Sequence, residues 1–276
     1  MSPYQFVKRL IPTERKDKWK DRFHTAKTLP NDIAVSVWNR LNGYPPLPPK
    51  EFIYLVSGHR SPSRFLRRGR AASRTILKTL GSNGIEIERF NTILDFGCGV
   101  GRIMRHWGLP QHTALYGTDY NPMLVRWCEE NLQSARFQVN SLSSGLPYEP
   151  ETFDFIYAFS VFTHLCESLQ FFWIDELSRV LKPGGYVWFT THGDYFFPHL
   201  RAEEKEQFLN GHLVVRGAEQ TGSNMCVTYH PAAYVRENAF RGFSMVDFIP
   251  GRAEGDLMQD IYLFKKPART SMKRHR

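Results

Sequence analysis

The sequence predicts an α/β protein whose central sheet is parallel and covered by helices on both faces, and three observations carry that reading. Short apolar runs alternate with segments of helical period from residue 91 to residue 191, the rhythm of strand, crossover helix and parallel strand. One of those strands, Ile93-Leu94-Asp95-Phe96, breaks into Gly97-Cys98-Gly99-Val100-Gly101. Such a βα turn lacks three side chains, so a ligand can lie against the backbone while a helix opens behind it. Asp119 closes the next apolar run, Ala114-Leu115-Tyr116-Gly117-Thr118, 24 positions after Asp95. That is the length of one strand-helix-strand unit, and a carboxylate at its end accepts both hydroxyls of a ribose.

The elements follow in order. Residues 1–50 read as a basic extension with Trp19, Phe23, Val35, Val37 and Trp38 as packing points, closed by a Pro-rich connector, Gly43-Tyr44-Pro45-Pro46-Leu47-Pro48-Pro49, that cannot continue a helix. Helical patterning runs from Glu51 to Leu80 with breaks near Ser57-Gly58 and Ser61-Pro62, and is expected to cap the site over 51–80. Strands are expected at 91–96, 114–118, 135–139, 153–159 and 185–191, and helices at 102–107, 121–133 and 166–181. Pro183-Gly184-Gly185 stops the last of these helices. Residues 194–230 break the rhythm with an acidic helix at 201–209 and β-like runs at 212–216 and 225–229. An insertion there lies beyond the carboxyl ends of the strands, where open α/β sheets bind ligands, so it is read as a substrate lid, with a plain surface hairpin as the alternative. A helix at 231–240 and strands at 243–249 and 259–264 complete a domain spanning 51–267, and a basic tail, 268–276, follows.

At these residues the chain resembles the class I S-adenosylmethionine (SAM)-dependent methyltransferases. Asp95-Phe96-Gly97-Cys98-Gly99-Val100-Gly101 is similar to that family's first motif and Gly117-Thr118-Asp119 to its second. Phe153-Asp154-Phe155-Ile156-Tyr157-Ala158 is similar to its fourth-strand motif, and Leu181-Lys182-Pro183-Gly184-Gly185 to the turn before its fifth strand. The four elements come in the family's order and spacing, and the G-x-G-x-G loop is not the G-x-G-x-x-G of nicotinamide-dinucleotide binding. In a subset of the family a Pro-Pro connector, Gly58, Phe65 and Gly69 precede the glycine loop in the same way. The resemblance implies a Rossmann-like seven-stranded, mostly parallel sheet with an antiparallel last strand, a helical cap at the N-terminal side and a lid insertion after the fifth strand.

It also implies SAM as cofactor and assigns its contacts. Asp95 is expected to orient the glycine loop and the amino group of the methionine moiety, which packs on Gly97, Cys98, Gly99 and Gly101, while Arg102 meets its carboxylate or is simply an exposed arginine. Asp119 is expected to bind the ribose diol and Tyr120 to flank the adenine. The third-motif site, where many relatives carry Asp, reads Asn140-Ser141-Leu142 here, and an amide oxygen still accepts from the adenine amino group. Phe159 and Ser160, at the end of the fourth strand, complete the expected cofactor set.

Methyl transfer from a sulfonium is chiefly alignment, and an acceptor that loses a proton needs a base. His164, His192 and His230 fall at strand ends or on the lid and are the candidates, each with a structural histidine as its alternative. Tyr195, Asn224 and Tyr229 are candidates for holding the acceptor, as is Arg60. Arg60 opens an acid-free run with Arg64, Arg67, Arg68, Arg70 and Arg74, which reads either as an anion-binding helix or as a solvated face with Phe65, Leu66, Ile76 and Leu77 turned inward.

Composition narrows the field. The chain has 276 residues, 42% of them hydrophobic, enough for one full core. Four cysteines at 98, 128, 166 and 226 form no C-x-x-C pair, which favours reduced thiols. With no apolar run of membrane-spanning length and no signal-peptide core after Met1, a cytoplasmic location is expected. The net charge of +9 belongs to the ends: residues 1–30 carry eight bases and three acids, and residues 265–276 six bases and no acid. The body is therefore close to neutral. Ala158-Phe159-Ser160-Val161 is not the Asn/Asp-Pro-Pro-Tyr of amino-methylating enzymes, no Pro-Cys marks a 5-methylcytosine mechanism, and Asp194 alone cannot make a magnesium site, so no metal is expected. The expected function is O-methylation of a small or medium polar acceptor: a sugar, glycoside or natural-product hydroxyl. A methyltransferase acting on RNA or protein through its basic termini and a non-catalytic SAM-binding protein remain as alternatives, with a nicotinamide oxidoreductase behind them.

Overall fold

A computed structural model describes residues 32–253 and 258–269. The basic stretch 1–30, with the packing points Trp19 and Phe23, lies outside that range, as do residues 270–276 of the C-terminal tail, whereas Lys265, Lys266 and Arg269 are described. A helix over 32–41 (α1) leads through the Pro-rich connector to α2 (Lys50–Ser57) and α3 (Pro62–Ser82). The two predicted breaks are where these helices stop and start. Gly58 adopts the left-handed conformation that closes α2. Pro62 occupies the first turn of α3, and Ser61 caps it by accepting from Arg64 N at 3.3 Å. Asp32 of α1 reinforces this start, because one of its oxygens accepts from Ser63 N at 3.0 Å and from both the Ser61 and Ser63 hydroxyls.

The sheet contains β1 (Thr92–Phe96), β2 (Ala114–Asp119), β3 (Arg136–Val139), β4 (Phe153–Ala158), β5 (Leu181–Thr191), β8 (Ser244–Ala253) and β9 (Gln259–Lys265), in the order β3-β2-β1-β4-β5-β9-β8. The first five strands are parallel, and β9 runs antiparallel to both β5 and β8. The chain winds outward from β1 to β3, then restarts beside β1 with β4, so the direction of winding switches between β1 and β4. Open α/β sheets form their ligand crevice at such a point.

Alternation along the strands divides the core between the two faces. Ile93, Phe155, Tyr157, Trp188, Ile261 and Leu263 pack under α2, α3 and α4 (Pro122–Asn131) through Ile53, Phe65, Ile76 and Val125. Leu94, Ile156, Val187, Phe189, Tyr262 and Phe264 pack under α5 (Glu167–Val180) and α7 (Ala232–Asn238) through Trp173, Leu177 and Val235. Both faces are thus covered, as continuous apolar runs in parallel strands require.

Two expectations are corrected. The helix foreseen at 102–107 is an irregular turn ending in one 3-10 turn, Met104–His106. Gly97, Gly99 and Gly101 all have positive φ and coil the chain, and Leu109-Pro110 follows before a helix can propagate. No helix N-terminus therefore faces the crevice behind the glycines. Leu77 points outward, while Phe65 and Ile76 are fully buried.

The insertion at 194–230 contains α6 (Ala202–Leu209) and a two-stranded antiparallel ribbon of β6 (Val214–Arg216) and β7 (Val227–Tyr229). It is fastened to the sheet by a parallel bridge between His192 and Tyr229, and by Thr228 Oγ1 donating to Leu165 O at 2.7 Å. No helix among the described residues is long and apolar enough to cross a membrane.

Candidate active site

A cavity of about 520 Å³ opens at the carboxyl ends of the parallel strands, between the α2 cap and the insertion. The sheet order spreads the predicted residues along it. Asn140 follows β3, Asp119 ends β2, Asp95 and the glycine loop end β1, Phe159 and Ser160 follow β4, and His192 follows β5. Three strand spacings separate β2 from β5, about 14 Å at roughly 4.8 Å each.

Asp119 is held from both sides. Its carboxylate accepts from Gly99 N and from Asn121 N, each at 2.9 Å. Burial pushes its pKa up to about 6 against the pull of those two amides. Asp95 lies deeper, and burial pushes it up to about 7, opposed by the hydrogen bond from Tyr157 Oη at 2.8 Å and by the nearby Arg102 charge. Arg102 is buried, lines the cavity and has its guanidinium 5.4 Å from the Phe159 ring centre. Asn140 turns its amide nitrogen to Ser141 O at 2.8 Å, which leaves Oδ1 buried with no hydrogen-bond partner.

The glycine loop is shaped by packing as much as by the cavity. A Cβ on Gly97 would lie 2.4 Å from Val161 Cγ2 and one on Gly99 2.7 Å from Val56 Cγ1. Gly101 does not line the cavity: its Cβ would meet Leu132 Cδ1 at 2.3 Å, so its small size serves the contact with the end of α4.

His164 and His192 both reach the cavity, their ring centres 6.5 Å apart. His164 Nδ1 is 2.8 Å from Cys226 O, and His192 Nδ1 is 3.2 Å from Thr228 O. A carbonyl only accepts, so in each neutral ring Nδ1 carries the proton and Nε2 carries the lone pair. The two carbonyls are two residues apart along the strand that forms β7, so the insertion orients both rings from one edge.

Other expectations move. His230 is outside the cavity and buried, its Nε2 3.1 Å from Gln170 Oε1; burial depresses its pKa to about 3, so it stays neutral within the core. Ser141 forms a surface turn with Ser143 and Ser144 and does not line the cavity. Tyr195 is 53% exposed, and its neighbour Phe196 faces inward instead, against His192 at 4.4 Å between ring centres. Arg60 stays outside the lining, 4.4 Å over the ring of Tyr54, which is part of it. The remaining arginines of α3 are exposed or half-buried and none of them lines the cavity, which favours the solvated-face reading. Tyr120, Cys98, Leu142 and Tyr229 do line it. So does Asn224, whose Nδ2 donates to Leu55 O at 2.7 Å and ties the insertion to the cap across the cavity.

The cap expected over 51–80 lines the cavity through residues 54–58, which carried no individual assignment, and Phe196 and Gln259 were not foreseen. Phe196 and Tyr195 share one 3-10 turn, Asp194–His199, which directs the phenyl ring inward and the phenol outward. Gln259 carries no local signal at all: antiparallel β9 begins where β5 ends, which brings this residue to the carboxyl edge.

Residues 94–189 match the family described as the methyltransferase domain. The chain is 32% identical over 114 residues to the malonyl-[acyl-carrier protein] O-methyltransferase of Salmonella typhimurium, a match covering 41% of this chain and 43% of that one. It is 31% identical over 137 residues to the tRNA (carboxymethyluridine(34)-5-O)-methyltransferase of Arabidopsis thaliana, covering 49% and 30% respectively. The chain thus spans less than half the length of these relatives. Among solved structures, the PH0226 protein from Pyrococcus horikoshii OT3 has the same fold, with a TM-score of 0.50 at 18% identity over 70% of this chain and 90% of that one. So does the [4+2]-cyclase SpnF, with a TM-score of 0.50 at 16% identity over 77% and 83%. Residues 94–189 thus carry a methyltransferase domain, and the motifs and the sheet order are consistent with a class I SAM-dependent methyltransferase that uses S-adenosylmethionine.

Proposed function

We propose that the protein is a SAM-dependent methyltransferase acting on a hydroxyl of a small or medium polar acceptor such as a sugar, glycoside or natural-product intermediate. The observation that carries this reading is the order of groups along the cavity. An unpartnered acceptor at Asn140 Oδ1 and the Asp119 carboxylate suit an adenine amino group and a ribose diol. Asp95 and Arg102 suit the ammonium and carboxylate of a methionine moiety, and the two histidines stand beyond them, past β4. When bound, the cofactor supplies an activated methyl group on a sulfonium.

The acceptor end, lined by His164, His192, Phe196, Tyr229 and Val227, has no Lys, Arg, Asp or Glu among its described residues, which supports a neutral acceptor. Either histidine, holding its lone pair on Nε2, takes the proton that the acceptor hydroxyl loses as its oxygen is alkylated, and Phe196 and Tyr229 limit water there. The Asn224 contact to the cap, which links the insertion and the cap across the cavity, supports a small molecule over a polymer. Two measurements test the reading. S-adenosylhomocysteine should bind the protein in calorimetry. A panel of neutral hydroxyl compounds should release S-adenosylhomocysteine from SAM faster than matched carboxylates or amines; turnover restricted to charged or macromolecular acceptors would refute the acceptor class.

A further inference from the structure

Ser160 has a φ of 61°, a left-handed conformation that side-chain-bearing residues avoid and that concentrates at functional sites. Of the four non-glycine residues with positive φ among those described, Ser160 alone lines the cavity. A closed set of hydrogen bonds holds it. Ser160 N donates to Thr190 Oγ1 at 2.8 Å, Thr190 donates in turn to Gln259 Oε1 at 2.6 Å, and Gln259 Nε2 returns to Ser160 Oγ at 2.8 Å. Thr163 Oγ1 donates to Ser160 O at 3.0 Å, so the nitrogen, the hydroxyl and the carbonyl of Ser160 are each engaged. Thr190, Thr163 and Gln259 are themselves buried.

The ring joins three strands at one point: the tip of β4, the end of β5 and the start of β9. What it controls is the direction of the chain after β4. Phe159, Ser160 and Val161 line the cavity after β4, the strand between β1 and β5, and the 3-10 turn Phe162–His164 that follows carries His164. We propose that Thr190 and Gln259 are positioning residues that hold Ser160 in its left-handed turn, so that the tip of β4 is pre-shaped for the cofactor and His164 is aimed at the acceptor. The inference rests on the cofactor reading given above. It uses no contact of Thr190 with any ligand: Thr190 does not line the cavity, and its hydroxyl is engaged by Ser160 N and Gln259 Oε1.

Glycine adopts positive φ without help, so the ring should matter for serine at 160 and become dispensable for glycine. The experiment is calorimetric titration of S-adenosylhomocysteine into the full chain. Thr190→Val should weaken binding about tenfold, the size expected for loss of a buried hydrogen-bond set, and Thr190→Ser should restore it. In a Ser160→Gly background Thr190→Val should change affinity less than about threefold, because the turn no longer needs support. An equal loss in both backgrounds, or no loss in the serine background, would overturn the proposal, since a purely structural threonine destabilises the core alike with either residue. If Thr190→Val fails to give a cooperative melt, Gln259→Met, which also opens the ring, is read by the same comparison. The Asp119→Asn variant separates the two levels: wild-type binding that this variant loses upholds the cofactor site whatever the ring does, and a wild type that does not bind overturns both.

Discussion

Replacing Asp119 by asparagine should abolish useful cofactor binding while leaving the fold intact, and the magnitudes follow from its surroundings. Burial raises this carboxyl from 3.8 to about 6, a shift of about 2 units, or about 3 kcal/mol that the empty site loses when the group ionises. The folded pKa lies above the unfolded one, so the folded state holds the extra proton between them. The group's contribution to stability is therefore greatest below pH 4 and is lost as pH rises through 6. Asparagine removes that cost. It also places an NH₂ against either Gly99 N or Asn121 N, both of which donate to the present carboxylate, and a donor facing a donor costs about 1–3 kcal/mol. The two terms nearly cancel, so the melting temperature near neutral pH should change little. Binding has no such compensation: two charge-assisted bonds to ribose hydroxyls are worth roughly 1.5–3 kcal/mol each, and affinity for S-adenosylhomocysteine should fall by about 10²–10⁴-fold. Titration calorimetry with a parallel thermal melt measures both. In the wild type, affinity should also decline as pH falls below about 6, because the protonated group no longer accepts from both hydroxyls. An Asp119→Asn protein that melts normally and binds within tenfold of wild type would refute the ribose assignment.

Three further outcomes are expected. Gly69→Ala should lower both stability and cofactor affinity, since its Cβ would fall 2.1 Å from Arg102 O and push α3 off the glycine loop, typically at about 1–3 kcal/mol; Gly81→Ala, with nothing within 4 Å in the same helix, should gain about 0.5–1 kcal/mol. Opposite signs in thermal melts check the pair. Asn140→Leu should weaken S-adenosylhomocysteine binding about tenfold and Asn140→Asp should stay within about threefold, because only the second keeps an acceptor; equal losses would exclude the adenine contact. With an acceptor in hand, His192→Ala or His164→Ala should cut turnover about 10²–10⁴-fold and flatten the acid limb of the pH profile. Full activity across pH in both variants would remove both histidines as the base.

The strands were legible because burial on both faces leaves long apolar runs, and β1, β2, β4 and β5 lie within a residue or two of expectation except where β5 begins early at Leu181. Asp95, Asp119 and the loop glycines were legible because the backbone itself demands them. The helix after the loop was not, since three left-handed glycines and the close approach of Gly69 override local propensity. The histidines show the same divide. Each follows a hydroxyl-bearing residue, Thr163, Thr191 or Tyr229, and it is the pairing of β7 with the end of β5 that sets His192 at the cavity and His230 in the core.

The sequence by itself thus determined the class of fold and the strand ends that line the cavity, because a glycine-rich turn, a terminal carboxylate and a Pro-Gly-Gly stop are local chemical requirements, and the methyl donor came from the resemblance those motifs carry. Tertiary structure alone decided which histidines, which aromatic of Tyr195 and Phe196, and which residue of β9 reach the site. Those choices depend on strand order and on the antiparallel return of β9. Such pairings join residues far apart in the chain, and no local pattern records them.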